Sequence, residues 1–173
     1  MQSDRIENQY KDAKELSSYL MDKGEVSYTI YINDVYKKVL LLSSASYFEK
    51  MISSILIKFA KTASKNDIRL ENLIQNKVIQ RQYHTFFNWD SKNSNQFWGM
   101  FGNKQKEQVR SKIDCNAQLK LAEQAFLMLG KQRNLLVHEN FAEQIINDTV
   151  EEIYNNYKKA CMFVNFINEE FSK

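Results

Sequence analysis

The stretch INDVYKKVLLLSSASYFEKMISSILIKFAKTA, residues Ile32 to Ala63, decides the fold. Within it Val35, Val39, Leu42, Ala45, Phe48, Ile52, Ile55 and Phe59 recur at steps of three and four. Side chains at that spacing share one face of an α-helix. Leu40, Leu41, Met51 and Leu56 widen the face. The pattern predicts one long helix at the centre of the fold.

The flanking sequence carries the same period. Toward the N-terminus, Ile6, Tyr10, Ala13, Leu16 and Leu20 form a thin stripe over about Asp4 to Met21. This predicts a helix at the edge of the core. Toward the C-terminus, Asp67 to Ile79 fits a short helix with Asn66 or Asp67 as its cap. Gln80 to Asn103 then has no period and is rich in Asn, Ser and aromatics. It predicts a long loop with at most one helical turn, and loops of that length are often functional. Lys104 to about Val137 is helical again, with a break expected near Asp114 to Asn116. The last helix begins at Asp148 or Thr149, where Thr149-Val-Glu-Glu152 has the form of a capping box. Its stripe is Val150, Ile153, Tyr157, Ala160, Val164, Ile167 and Phe171. The expected fold is all-α, an up-and-down bundle of four to five helices with an irregular aromatic insertion. One domain is expected over residues 1–173, with 1–30 as a peripheral helix and linker and 80–103 as the insertion.

Composition narrows the class. A chain of 173 residues can bury one substantial core. With 43% hydrophobic and 26% charged residues, it is not a disordered chain. It has no proline and four glycines, so little interrupts long helices. A net charge of +3 permits an anionic partner without requiring one. Cys115 and Cys161 have neither metal-ligand spacing nor the number for a disulfide framework. No metal and no cofactor is therefore expected. Met1 to Lys14 is polar and lacks an apolar signal core, and Ser, Lys or Glu break the apolar runs short of a membrane span. The expected compartment is the cytoplasm, without membrane attachment.

One residue breaks the pattern. Leu119, Ala122, Phe126 and Leu129 lead by the same rhythm to Arg133 and Leu136. A guanidinium there must face a carboxylate, a phosphate or a wet cleft, because burying an unpaired charge is costly. Five residues on stands His138, one of two histidines. Five residues turn about 140° beyond a full turn, so the two side chains do not share a face of an ideal helix. They converge if the helix ends or kinks near Leu136, or if two copies meet there. Structural roles are open to both residues. Arg133 can pair with a core carboxylate such as Glu49, and His138 can serve as a cation at a helix C-terminus.

The full run Gln132-Arg-Asn-Leu-Leu-Val-His-Glu-Asn140 resembles the signature of the HEPN superfamily: an arginine, a polar residue, then a histidine after four to six positions. The helix around Leu41-Leu-Ser-Ser-Ala-Ser-Tyr-Phe-Glu49 looks like the family's central helix. Within the superfamily the chain most resembles the RiboL-PSP-associated group and similar stand-alone HEPN nucleases, and the insertion from Trp89 to Gly102 fits that group. The likeness covers roughly Ile32 to Lys173. HEPN toxins regulated by nucleotidylation commonly carry a tyrosine two residues after the histidine. This chain has Asn140, which departs from that pattern.

The resemblance implies a homodimer with a composite active site and metal-independent endoribonuclease activity. It places the protein in phage defence, a toxin–antitoxin pair or RNA restriction, with an antitoxin or regulatory partner. An alternative is a non-catalytic HEPN module that binds a nucleotide or a protein. The chemistry suits the residues. Histidine exchanges protons near neutral pH. Arginine grips phosphate as a fork. His138 is read as general base or acid, Arg133 as phosphate clamp, Asn134 as orienting donor and Glu49 as support for Arg133. Trp89 and Trp98, with Lys104 and Lys106 near them, are candidates for stacking bases and holding phosphate in the RNA substrate. The same aromatics also suit a satellite hydrophobic cluster or a dimer contact.

Overall fold

The computed structural model describes residues 2–80, 82–138, 141 and 143–172, apart from the side chains of residues 2–4 and of His138. The described chain is all-α. In order it forms α1 (Gln2–Asp22), α2 (Val26–Ala63), α3 (Ile68–Leu73) running into a π-helical stretch (Ile74–Ile79), α4 (Tyr83–Phe86), α5 (Asn95–Gly99), α6 (Asn103–Asp114), α7 (Ala117–His138) and α8 (Val150–Phe171). The helices beyond the expected four to five come largely from short pieces, α3 to α5, and from the break between α6 and α7.

The chain clusters into two compact units. One comprises Met1–Tyr47 with Leu129–Lys158, the other Phe48–Met128 with Lys159–Lys173. Helices α2, α7 and α8 contribute to both.

In the first unit α1 buries Ile6 and Ala13, as its thin stripe requires, and Tyr10 stacks on Tyr154 at 4.0 Å. Leu40, Leu41 and Ala45 of α2, Leu129 and Leu136 of α7, and Val150, Ile153 and Tyr157 of α8 supply the rest of the apolar interior. The turn from α1 to α2 uses Gly24 at φ +74°, with Gly24 N–H donating to Met21 O and Glu25 N–H to Leu20 O. Glycine takes that left-handed conformation without strain. Helix α2 starts six residues earlier than its stripe suggested. Tyr28, Ile30 and Tyr31 are helical but exposed, so no apolar–polar contrast marks that first turn.

In the second unit Phe48, Ile52, Ile55 and Leu56 of α2 join Val109 and Ile113 of α6, Ala122 and Phe126 of α7, and Phe163 and Ile167 of α8. The aromatic insertion differs from the expected loop. It holds two short helices, and Phe86, Phe87, Phe97 and Trp98 are all buried. Phe87 stacks on Phe97 at 4.8 Å and meets Phe126 edge-on at 4.9 Å. Between the helices, side chains replace periodic backbone bonds: Asp90 N–H donates to Asn88 Oδ1 and Asn95 N–H to Asn93 Oδ1. The segment has no period because ring packing and Asx turns order it.

Three expected boundaries coincide with caps. Asp67 accepts from Arg69 N–H at 2.9 Å before α3. Asn116 accepts from Leu119 N–H at 3.0 Å where α6 breaks from α7. Thr149 and Glu152 form the reciprocal capping box of α8. One sequence expectation needs amending. By length and composition α2 is apolar enough to cross a membrane, with a mean hydropathy of 1.2 over 18 residues. It carries Glu49 and Lys50 in mid-helix and buries Leu40, Leu41, Phe48 and Ile52 against protein.

Candidate active site

Helix α7 is built to deliver its last turn. Asn116 caps its start, and Leu119, Ala122, Phe126 and Leu129 anchor it, each less than a tenth exposed. The next positions of the stripe are Arg133, half-buried, and Leu136, 1% exposed. The guanidinium therefore emerges where the apolar face meets the end of the helix.

Arg133 forms no ion pair among the described residues. Its Nη1 donates instead to Asn134 Oδ1 at 3.1 Å. The helix runs unbroken to His138. Arg133 and His138 stand on different faces, but Asn134 and His138 are four apart and share one. By bonding to Asn134, the guanidinium is drawn toward the face on which His138 is placed. The His138 side chain itself lies outside the described residues. Between these polar positions Leu135 and Val137 are 41% and 51% exposed.

The segment after α7 is tied back in several places. Gln132 Nε2 donates to Asp148 Oδ2, Lys37 Nζ donates to Ile146 O at 3.4 Å, and Lys38 Nζ lies over the Phe141 ring. Sequence reasoning missed Lys37 and Lys38. Their signal was a pair of cations inside the apolar run of α2. The capping box also carries an electrostatic mark. Hydrogen bonds from the Thr149 backbone and hydroxyl hold the Glu152 carboxyl below the usual carboxylate range.

The other sequence candidates belong to the second unit. Glu49 sits half-buried in mid-α2, within the second unit, and forms no ion pair among the described residues. Trp98 is 1% exposed and donates its indole N–H to Ser94 Oγ at 3.1 Å. An indole with both faces covered offers no platform to a base, so Trp98 is a core residue. Trp89 is half-buried among Tyr83, Phe87 and Phe126 and donates to His84 O at 3.0 Å. Lys104 is exposed at the start of α6, and Lys106 Nζ donates to Asn103 Oδ1 at 3.2 Å. Among the described residues no group of three His, Cys, Asp or Glu is arranged to hold a metal ion.

An all-α chain whose penultimate long helix closes on arginine, four residues and histidine has the design of a HEPN domain. The RiboL-PSP-HEPN family model matches residues 6–173, and the chain belongs to that family. Domains of this class are generally nucleases or RNA-related modules. No curated protein and no solved structure matches the chain.

Proposed function

We propose that this protein is a metal-independent endoribonuclease acting in an antiviral, toxin or RNA-restriction setting. The observation that carries the reading is the Arg133–Asn134 bond in the last turn of α7, which gathers the guanidinium toward the face of His138. A fork-shaped cation beside a group that titrates near neutral pH suits cleavage of a phosphodiester that brings its own nucleophile.

In the proposed reaction an imidazole takes the proton of the ribose 2′-hydroxyl. The 2′-oxygen bonds to phosphorus, and the bond from phosphorus to the 5′-oxygen breaks. A second imidazole, as imidazolium, gives its proton to that leaving oxygen. The products are a 2′,3′-cyclic phosphate and a 5′-hydroxyl. Arg133 neutralises charge on the non-bridging oxygens, and Asn134 orients it. Each chain offers one histidine in the motif, so a homodimer supplies both base and acid.

The test is incubation of total RNA with the protein and with His138→Ala in EDTA. Cleavage leaving cyclic-phosphate ends, lost in the variant, is expected. Equal cleavage by both would place the activity elsewhere. A folded protein that binds RNA without cutting it would make the motif a binding module.

A further inference from the structure

Helix α2 carries Lys37 and Lys38 within its apolar run, and the proposed chemistry uses neither. Lys38 is 3% exposed. Its Nζ lies 2.8 Å from Asp34 Oδ2 and 5.4 Å from the centre of the Phe141 ring. The Asp34 side chain remains 44% exposed. Only the cationic end of the pair has therefore been taken out of water. An i,i+4 pair on a helix surface needs no such burial, and desolvating an ammonium costs far more than an exposed pair returns. An aromatic face offsets part of that cost. Phe141 stands three residues beyond His138, at most about 10 Å of chain.

We infer that Lys38 is a positioning residue for the Arg133–His138 motif. Its ammonium, held between Asp34 and the Phe141 ring, anchors the chain as it leaves α7. The last carbonyls of a helix have no partners within it, so a helix end frays unless the following chain is held. Here it is held by Lys38 at Phe141, by Lys37 at Ile146 O and by Gln132 at Asp148. Catalytic groups must stand within about 0.5 Å of their working geometry, and an error of about 1 Å can cost on the order of 100-fold in rate. Anchoring Phe141 limits fraying of the helix end on which His138 stands. The role in catalysis rests on the nuclease reading above; the anchor does not.

The test uses the full chain with Lys38→Met, Lys38→Arg and Phe141→Leu. Methionine keeps the apolar stem, and Asp34, with a side chain 44% exposed, keeps its access to water. The first readout is amide hydrogen exchange at Phe141 and residues 143–148, against the interior of α8. Exchange about 10-fold faster or more in Lys38→Met, confined to that segment and restored in Lys38→Arg, is expected. Unchanged exchange overturns the anchor. The second readout is RNA cleavage. A kcat lowered about 10-fold or more with KM within about twofold, and non-additive effects of Lys38→Met and Phe141→Leu, are expected. A change in KM alone would make Lys38 an RNA contact and overturn the positioning role. If the wild type shows no His138-dependent cleavage, the nuclease reading fails, and exchange alone decides the anchor.

Discussion

Arg133 and Glu123 are two charged residues on α7 that the fold treats in opposite ways. Arg133 stands on the apolar stripe yet is half-buried, because the stripe reaches the helix end there. Glu123 is 1% exposed in mid-helix. Its Oε1 accepts from Ser94 N–H at 2.8 Å and from Ser94 Oγ at 2.5 Å, and both carboxylate oxygens accept from Arg110 Nη1. Arg110 is also forked onto Asp114. Burial alone would lower the Arg110 pKa, but Asp114 and Glu123 outweigh it and raise it. In Glu123→Gln the remaining carbonyl oxygen can keep the Ser94 donors, but the charge is lost and an amide NH2 faces Arg110 Nη1 where Oε2 accepted. Glu123→Gln is expected to destabilise the protein by about 3 kcal/mol in urea titration, and an unchanged midpoint would refute the account. The two residues also differ in how visible they were. Arg133 was legible because a charge interrupts an apolar rhythm. Glu123 was not, because its burial is imposed by Ser94, from a segment with no rhythm to read.

Among the elements, the helices with strong contrast between faces were legible from end to end, and their caps fixed the boundaries. Helix α8 shows this best. Thr149 Oγ1 accepts from Glu152 N–H at 3.1 Å, and Glu152 Oε2 accepts from Thr149 N–H at 2.7 Å. The first turn of α8 thus satisfies donors that the helix cannot. Thr149→Ala is expected to lower stability by about 1 kcal/mol, with Thr149→Ser close to wild type. The check is thermal melting of both variants, and an alanine variant as stable as the serine one would deny the cap its role. The start of α2 and the interior of the insertion were illegible for opposite reasons. Tyr28, Ile30 and Tyr31 are apolar but exposed, so they blur the pattern. Phe86, Phe87, Phe97 and Trp98 are buried but spaced by ring contacts rather than by helical turns.

At the scale of the whole molecule, three carboxylates tie its stability to pH. Glu152, in the first unit, is held low by the Thr149 backbone and hydroxyl. In the second unit Asp67 is held low by the Arg69 side chain and backbone N–H, and Asp114 by Arg110 and then Lys120. A carboxyl whose pKa is lower in the folded state contributes stability above its unfolded pKa, about 4, and that contribution is lost as pH falls through the folded value. Below about pH 4 the unfolded chain binds more protons than the native one, so protons favour unfolding. The urea midpoint is expected to hold level from about pH 7 to about pH 5 and to fall steadily below about pH 4. Both units carry such a group, so probes in each should lose stability over the same window. Glu152→Gln should be less stable than wild type near neutral pH and show a shallower acid slope in the first unit alone. A midpoint that is flat or rising between pH 5 and pH 3, or a Glu152→Gln slope equal to wild type, would mean that these hydrogen bonds leave the carboxylates no more acidic than in the unfolded chain.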